Sequence, residues 1–160
     1  MRAAIMSRPR RARDIGLTIW DFREKIWVVC PSCAGPARVM DVAARGRFRL
    51  VCLRCAHSAE GSTRGTPQRV GCATDGRFGL PLYLTARVRG QQLWVYNLAH
   101  LDALAEWLGA NLRERPVQGL YRNRTMMSRL PPWMSSAAAR PHVVRALAAL
   151  RERAVSEGLS

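Results

Sequence analysis

The chain has 160 residues, 48% of them hydrophobic, and no apolar run near the roughly 20 residues of a membrane-spanning helix, so a membrane protein is not expected. Its 26 basic residues stand against 11 acidic ones, a formal net charge of +15 that calls for an acidic partner, most simply nucleic acid. Lys25 is the single lysine. GC-rich coding exchanges lysine for arginine, but it does not create an excess of base over acid.

The opening "MRAAIMSRPRRARDIG" is basic and lacks the apolar stretch and small-residue cleavage site of a secretory signal. Residues 1–22 are therefore expected to be a basic, solvated arm of a cytoplasmic protein. Strand text begins at Lys25 with "KIWVV" and continues in "ARVMD" (37–41) and "RFRLVC" (47–52). The last of these puts Arg47 and Arg49 on one face and Phe48 and Leu50 on the other. Large apolar residues then become few, and 57–79 reads as loop, with a linker over 61–79 separating a unit at 23–60 from one at 80–160.

In the second unit, "LYLTARV" and "QLWVYN" flank "RGQ", a hairpin with Gly90 in its turn. Asn97 caps a helix predicted over 98–114, with Leu98, Leu101, Leu104, Ala105, Leu108 and Leu112 on one side. A short helix is expected at "TMMSRL", stopped by Pro131 and Pro132. Pro141 opens a final helix whose apolar side is Val143, Leu147, Leu150 and Ala154. The predicted class is α+β: a small antiparallel sheet followed by a β-hairpin and two main α-helices.

Four of the five cysteines form two C-x-x-C pairs, Cys30/Cys33 and Cys52/Cys55. Thiols three residues apart on a tight turn offer two ligands of a tetrahedral ion, and a second such turn at the far end of a hairpin supplies the other two. One structural Zn²⁺ is the expected cofactor. With four thiolates the shell is closed, leaving no position for a reactive water. Pro31 and Gly35 suit the bend of the first turn. Strand text follows both pairs, which speaks against redox dithiols opening a helix. A cytoplasmic setting favours metal over disulfides.

"VVCPSCAGPARVMD" followed by "RFRLVCLRCAHSAEG" resembles the TFIIB-type zinc ribbon, which implies two knuckles on a three-stranded antiparallel sheet. "RFGLPLYL", "LWVYNLAHLDALAEWLGANLRER" and "RNRTMMSRLPPWMSSAAAR" resemble the remainder of small bacterial zinc-ribbon-containing proteins. The likeness implies a fold and a ligand set, and it brings no activity with it.

Other chemistry-bearing residues are sparse. Cys72 reads as a spare thiol, His57 as a substitute ligand the four cysteines make unnecessary, and His100 and His142 as surface or capping residues. There is no nucleophile elbow, no phosphate loop and no acidic cluster for Mg²⁺, so no enzyme and no small-molecule substrate are expected. Two basic patches are candidates for nucleic-acid contact. One is Arg45, Arg47, Arg49 and Arg54 on or beside the ribbon strands. In the other, Arg122, Arg124, Arg129 and Arg140 are interleaved with Tyr121 and Trp133, whose indole would either stack on bases or cap the core. The leading reading is a nucleic-acid-binding accessory protein without strong sequence specificity. The alternative is an adaptor that docks onto a protein partner such as a polymerase or nuclease subunit.

Overall fold

The computed structural model describes residues 10–42, 46–62, 72–114 and 124–159. In chain order, β1 (Arg11–Arg13) and a 3-10 turn (Ile19–Phe22) lead into β2 (Lys25–Val29), β3 (Pro36–Asp41), β4 (Arg47–Cys52) and β5 (Ser58–Ser62). A hairpin of β6 (Thr85–Val88) and β7 (Gln91–Trp94) follows, then α1 (Leu98–Gly109) and β8 (Leu112–Glu114). A second 3-10 turn (Met127–Arg129), α2 (Pro132–Ser135) and α3 (Arg140–Ser156) complete the α+β fold. No described helix is long and apolar enough to cross a membrane.

Strands β2 to β5 form one antiparallel sheet in sequence order. Register puts Ile26, Val39, Leu50 and Ala59 in one cross-strand row and Lys25, Met40, Arg49 and Glu60 in the next, facing the opposite way. The inner face is apolar, and the outer face carries Lys25, Arg38, Arg47 and Arg49 around a buried Trp27. The free edge of β2 is taken up by the hairpin segment: Val29 N–H donates to Pro81 O at 2.8 Å, Tyr83 N–H to Trp27 O at 2.9 Å and Trp27 N–H to Tyr96 O at 2.8 Å. Sheet, hairpin and helices consequently share one buried cluster, in which Ile26 and Val39 sit with Leu84, Leu101, Val143 and Leu147.

The hairpin turn is Arg89–Gly90, with φ of 51° and 83°, the left-handed pair that a two-residue loop needs to match strand twist. Asn97 caps α1 as predicted, accepting from His100 N–H at 2.9 Å. Its amide also donates to the carbonyls of Phe22 and Lys25, tying the helix to the start of β2. Pro141 lies in the first turn of α3, and Val143, Leu147, Leu150 and Ala154 are all buried.

Four expectations are corrected. Helix α1 stops at Gly109 rather than running to 114: Ala110 is extended, and Leu112 pairs as a strand and is 45% exposed. Residues 10–22 of the predicted basic arm are packed. β1 runs parallel to β8, and Ala12, Asp14 and Phe22 are buried while Arg11 and Arg13 face outward. The Asp14 carboxylate accepts from the buried Thr125 hydroxyl, which fixes this segment against the chain entering the second 3-10 turn. Part of the predicted loop is strand: "SAEGS" makes β5 the fourth strand of the sheet, where the resemblance implied three. Gly61 makes this possible, because the ring of Phe48 opposite lies over it in the space a side chain would take. Finally, His100 is not a surface side chain, although it does bond backbone at the start of α1. It is buried, its Nδ1 accepts from Tyr96 N–H at 3.2 Å, and its ring stacks on Phe22.

Candidate metal centre

The two knuckles are built alike. Cys30 N–H donates to Gly35 O and Cys52 N–H donates to His57 O, each at 2.8 Å and each spanning five residues. Within the loops, Ser32 N–H points at Cys30 Sγ and Arg54 N–H at Cys52 Sγ, at 3.4 and 3.3 Å, and Gly35 N–H points at Cys33 Sγ at 3.4 Å. To turn so tightly the chain enters the left-handed region one residue past each pair, at Ala34 (φ 57°) and Ala56 (φ 56°). Gly35 therefore has a different role from the bend assigned to it. It leaves room for the stem of Arg54, whose Cδ lies 2.6 Å from where a Cβ would stand.

The β2–β3 and β3–β4 pairings carry the first knuckle to the second, and the four sulfurs lie within 4.8 Å of one another. Cys30 and Cys55 approach to 3.7 Å, Cys33 and Cys52 to 3.5 Å. A tetrahedral ion bound at about 2.3 Å holds its sulfurs about 3.8 Å apart, so the donor set has the right number, softness and spacing for one such ion. Among the described residues these four are the group of that kind, with Cys30 and Cys52 buried and Cys33 and Cys55 exposed.

The thiols do not ionise as equals. At Cys52 burial opposes the thiolate, but the N–H groups of Cys55 and Arg54 and the thiols of Cys33 and Cys30 bring its pKa down to about 6. At Cys33 the N–H of Gly35 favours the thiolate, yet the sulfurs of Cys55, Cys52 and Cys30 push the pKa up to about 12. One negative charge is well supported by N–H donors and the next is repelled. A cation at the centre removes that conflict.

The remaining sequence candidates are dispersed. The imidazole of His57 is outside the sulfur group. Cys72 also lies apart, its Sγ 3.2 Å from Thr74 Oγ1. Arg47 and Arg49 share the outer sheet face as expected, but both are engaged by Glu60 of β5, at 2.8 Å to Arg47 Nη2 and 3.1 Å to Arg49 Nε. The Arg49 hydrogen bond, with the charge of Arg47 beside it, holds the Glu60 carboxyl below its usual range. Arg124 and Arg129 are exposed, and Arg140 is half-buried at the start of α3. Trp133 is half-buried and packs against the core cluster, as do Met126 and Leu130. Arg45, Tyr121 and Arg122 lie outside the described residues.

Sequence reasoning missed Ala34, Ala56, Tyr83 and Arg153. The first two had a visible signal, an alanine at the same offset behind each pair. The last two had none, being brought beside the knuckles by tertiary contacts alone. The chain matches no protein-family model, no curated protein and no solved structure.

Proposed function

We propose that this is a non-enzymatic zinc-ribbon protein that binds nucleic acid as an accessory factor, without strong sequence specificity. Cys30, Cys33, Cys52 and Cys55 would hold one zinc. The ion supplies a cross-link between the two knuckles, and four thiolates leave no coordination position for substrate.

One observation carries the nucleic-acid half of this reading: the carboxylates are largely occupied within the fold. Asp14, Asp21, Asp75 and Glu157 accept from hydroxyl or backbone N–H groups rather than from guanidinium. Asp41, Glu60, Asp102 and Glu114 pair with Arg77, Arg47 and Arg49, Arg151, and Arg11. The formal charge of +15 already counts all 11 carboxylates, so no pairing within the chain balances it, and a polyanion is the partner that neutralises it through counterion release. Contacts made by arginine to phosphate position a strand without reading its bases, hence the weak sequence preference.

The adaptor reading has one observation in its favour, Leu53 at 46% exposure on the second knuckle, an apolar tip suited to a protein pocket. Retention of the zinc-loaded protein on immobilised mixed-sequence nucleic acid, followed as salt is raised, separates the two. Nucleic-acid binding predicts retention at low salt that falls steeply and alike for unrelated sequences. No retention at low salt leaves the adaptor.

A further inference from the structure

The outer sheet face continues past β2. With Val28 bridged to Leu82, Tyr83 stands beside Trp27, so one cross-strand row runs Tyr83, Trp27, Arg38, Val51, Ser58. At the knuckle end of this face two arginines come in from distant parts of the chain. Arg153 of α3 donates from Nη2 to Tyr83 O at 2.8 Å, with its guanidinium 5.3 Å from the centre of the Tyr83 ring. Arg54 of the second knuckle has its stem set in the space over Gly35.

Both act electrostatically on the Tyr83 phenol. Burial and the bond to Glu157 raise its pKa, and Arg153 and Arg54 oppose the rise. The Glu157 carboxylate accepts the Tyr83 hydroxyl at 2.7 Å, and no carboxylate among the described residues lies within ion-pair distance of either arginine.

This combination distinguishes them. Arg47, Arg49, Arg77 and Arg151 are oriented by carboxylates that also cancel their charge. Arg54 and Arg153 are oriented by a glycine gap, a carbonyl and an aromatic ring, all uncharged. Their side-chain entropy is already reduced, and both residues are exposed.

We propose that single-stranded nucleic acid crosses the knuckle end of the outer sheet face, with its phosphates held by Arg54 and Arg153. This rests on the nucleic-acid reading above and specifies it. A sheet cannot enter a major groove of about 12 Å, so a duplex would offer this face phosphates alone, whereas a flexible single strand can bend to bring phosphates to both guanidiniums. The far end of the same face, at Lys25 and Met40, opens into a groove of about 510 Å³ that also carries Asp21, Glu24 and Asp41.

Anisotropy of labelled single-stranded DNA, single-stranded RNA and a duplex of equal length tests this on the zinc-loaded full chain. The single strands are expected to bind more tightly than the duplex. Arg54→Gln and Arg153→Gln should each weaken them about tenfold, with zinc content and Tm unchanged for Arg54→Gln. Together they should flatten the salt slope by about 1.4, at about 0.7 per lost single-strand phosphate contact, and Arg153→Lys should restore part of the affinity. The DNA and RNA arms show whether the strand's sugar matters. Tight binding that ignores both substitutions, or that prefers the duplex, overturns this placement but leaves the protein a nucleic-acid binder. Absence of binding to any of the three at low salt overturns both.

Discussion

Ala34 and Ala56 are counterparts: each follows the second cysteine of its knuckle by one residue, and each holds a left-handed backbone, at φ 57° and 56°. An L-residue with a Cβ pays for that conformation with about 1–2 kcal/mol, and glycine does not. Part of the gain from glycine is lost to the greater freedom of the unfolded chain. Ala34→Gly and Ala56→Gly should each stabilise the zinc-loaded protein by about 0.5–1 kcal/mol, seen as a higher midpoint in urea with one zinc still bound. A lower midpoint would show that the methyl groups make contacts worth more than the strain.

Metal removal should unfold the whole chain in one step. β2 hydrogen-bonds to Pro81, Tyr83 and Tyr96, and its buried residues pack in the same cluster as the helices, so the ribbon cannot open alone. A structural zinc contributes on the order of 10 kcal/mol near neutral pH, comparable to the whole stability of a domain this size. Cys52→Ser/Cys55→Ser should lose the metal and much of the helical circular dichroism together, whereas Cys72→Ser should change neither. Full helicity in a metal-free protein would contradict this coupling.

His100 predicts an acid-sensitive stability. Burial lowers its pKa from 6.5 to about 3, so between those values the unfolded chain binds a proton that the folded one refuses. Stability is complete above pH 6.5 and falls as pH drops toward 3, by up to about 1.4 kcal/mol per unit from this group. His100→Gln keeps an acceptor for Tyr96 N–H and removes the titration. Denaturant midpoints of the two proteins across that range should converge as the solution is acidified, the metal and carboxylate contributions being common to both. Parallel curves would mean that His100 is protonated in the folded state.

Gly61→Val should be costly although Gly61 sits in an edge strand. The Phe48 ring occupies the volume of the added side chain and is itself held edge-on against Phe78, with centres 4.9 Å apart. Displacing it is expected to cost about 2 kcal/mol, as overpacking of a filled core does. Chemical denaturation of the zinc-loaded protein measures this, and a loss below about 0.5 kcal/mol would show that Phe48 has another place to go.

The parts legible in the sequence are those whose chemistry is local. The C-x-x-C spacing determines that two knuckles present paired sulfurs. The alternation of Arg47, Phe48, Arg49 and Leu50 determines which face of β4 is buried, and Asn97 and Pro141 mark two helix starts, because each of these signals lies within a few residues of what it specifies. Tertiary structure decided the rest. β5 has no apolar stripe of its own and becomes a strand only because β4 offers backbone partners and Gly61 accommodates a ring from across the pair. β1 exists only beside β8, about a hundred residues away, since a parallel pair needs a long connection and three residues carry no period. Charge shows the same division. Composition alone determined the arginine excess, but which arginines are cancelled depends on where Glu60, Asp41 and Asp102 arrive in space, and that is set by register and packing rather than by order along the chain.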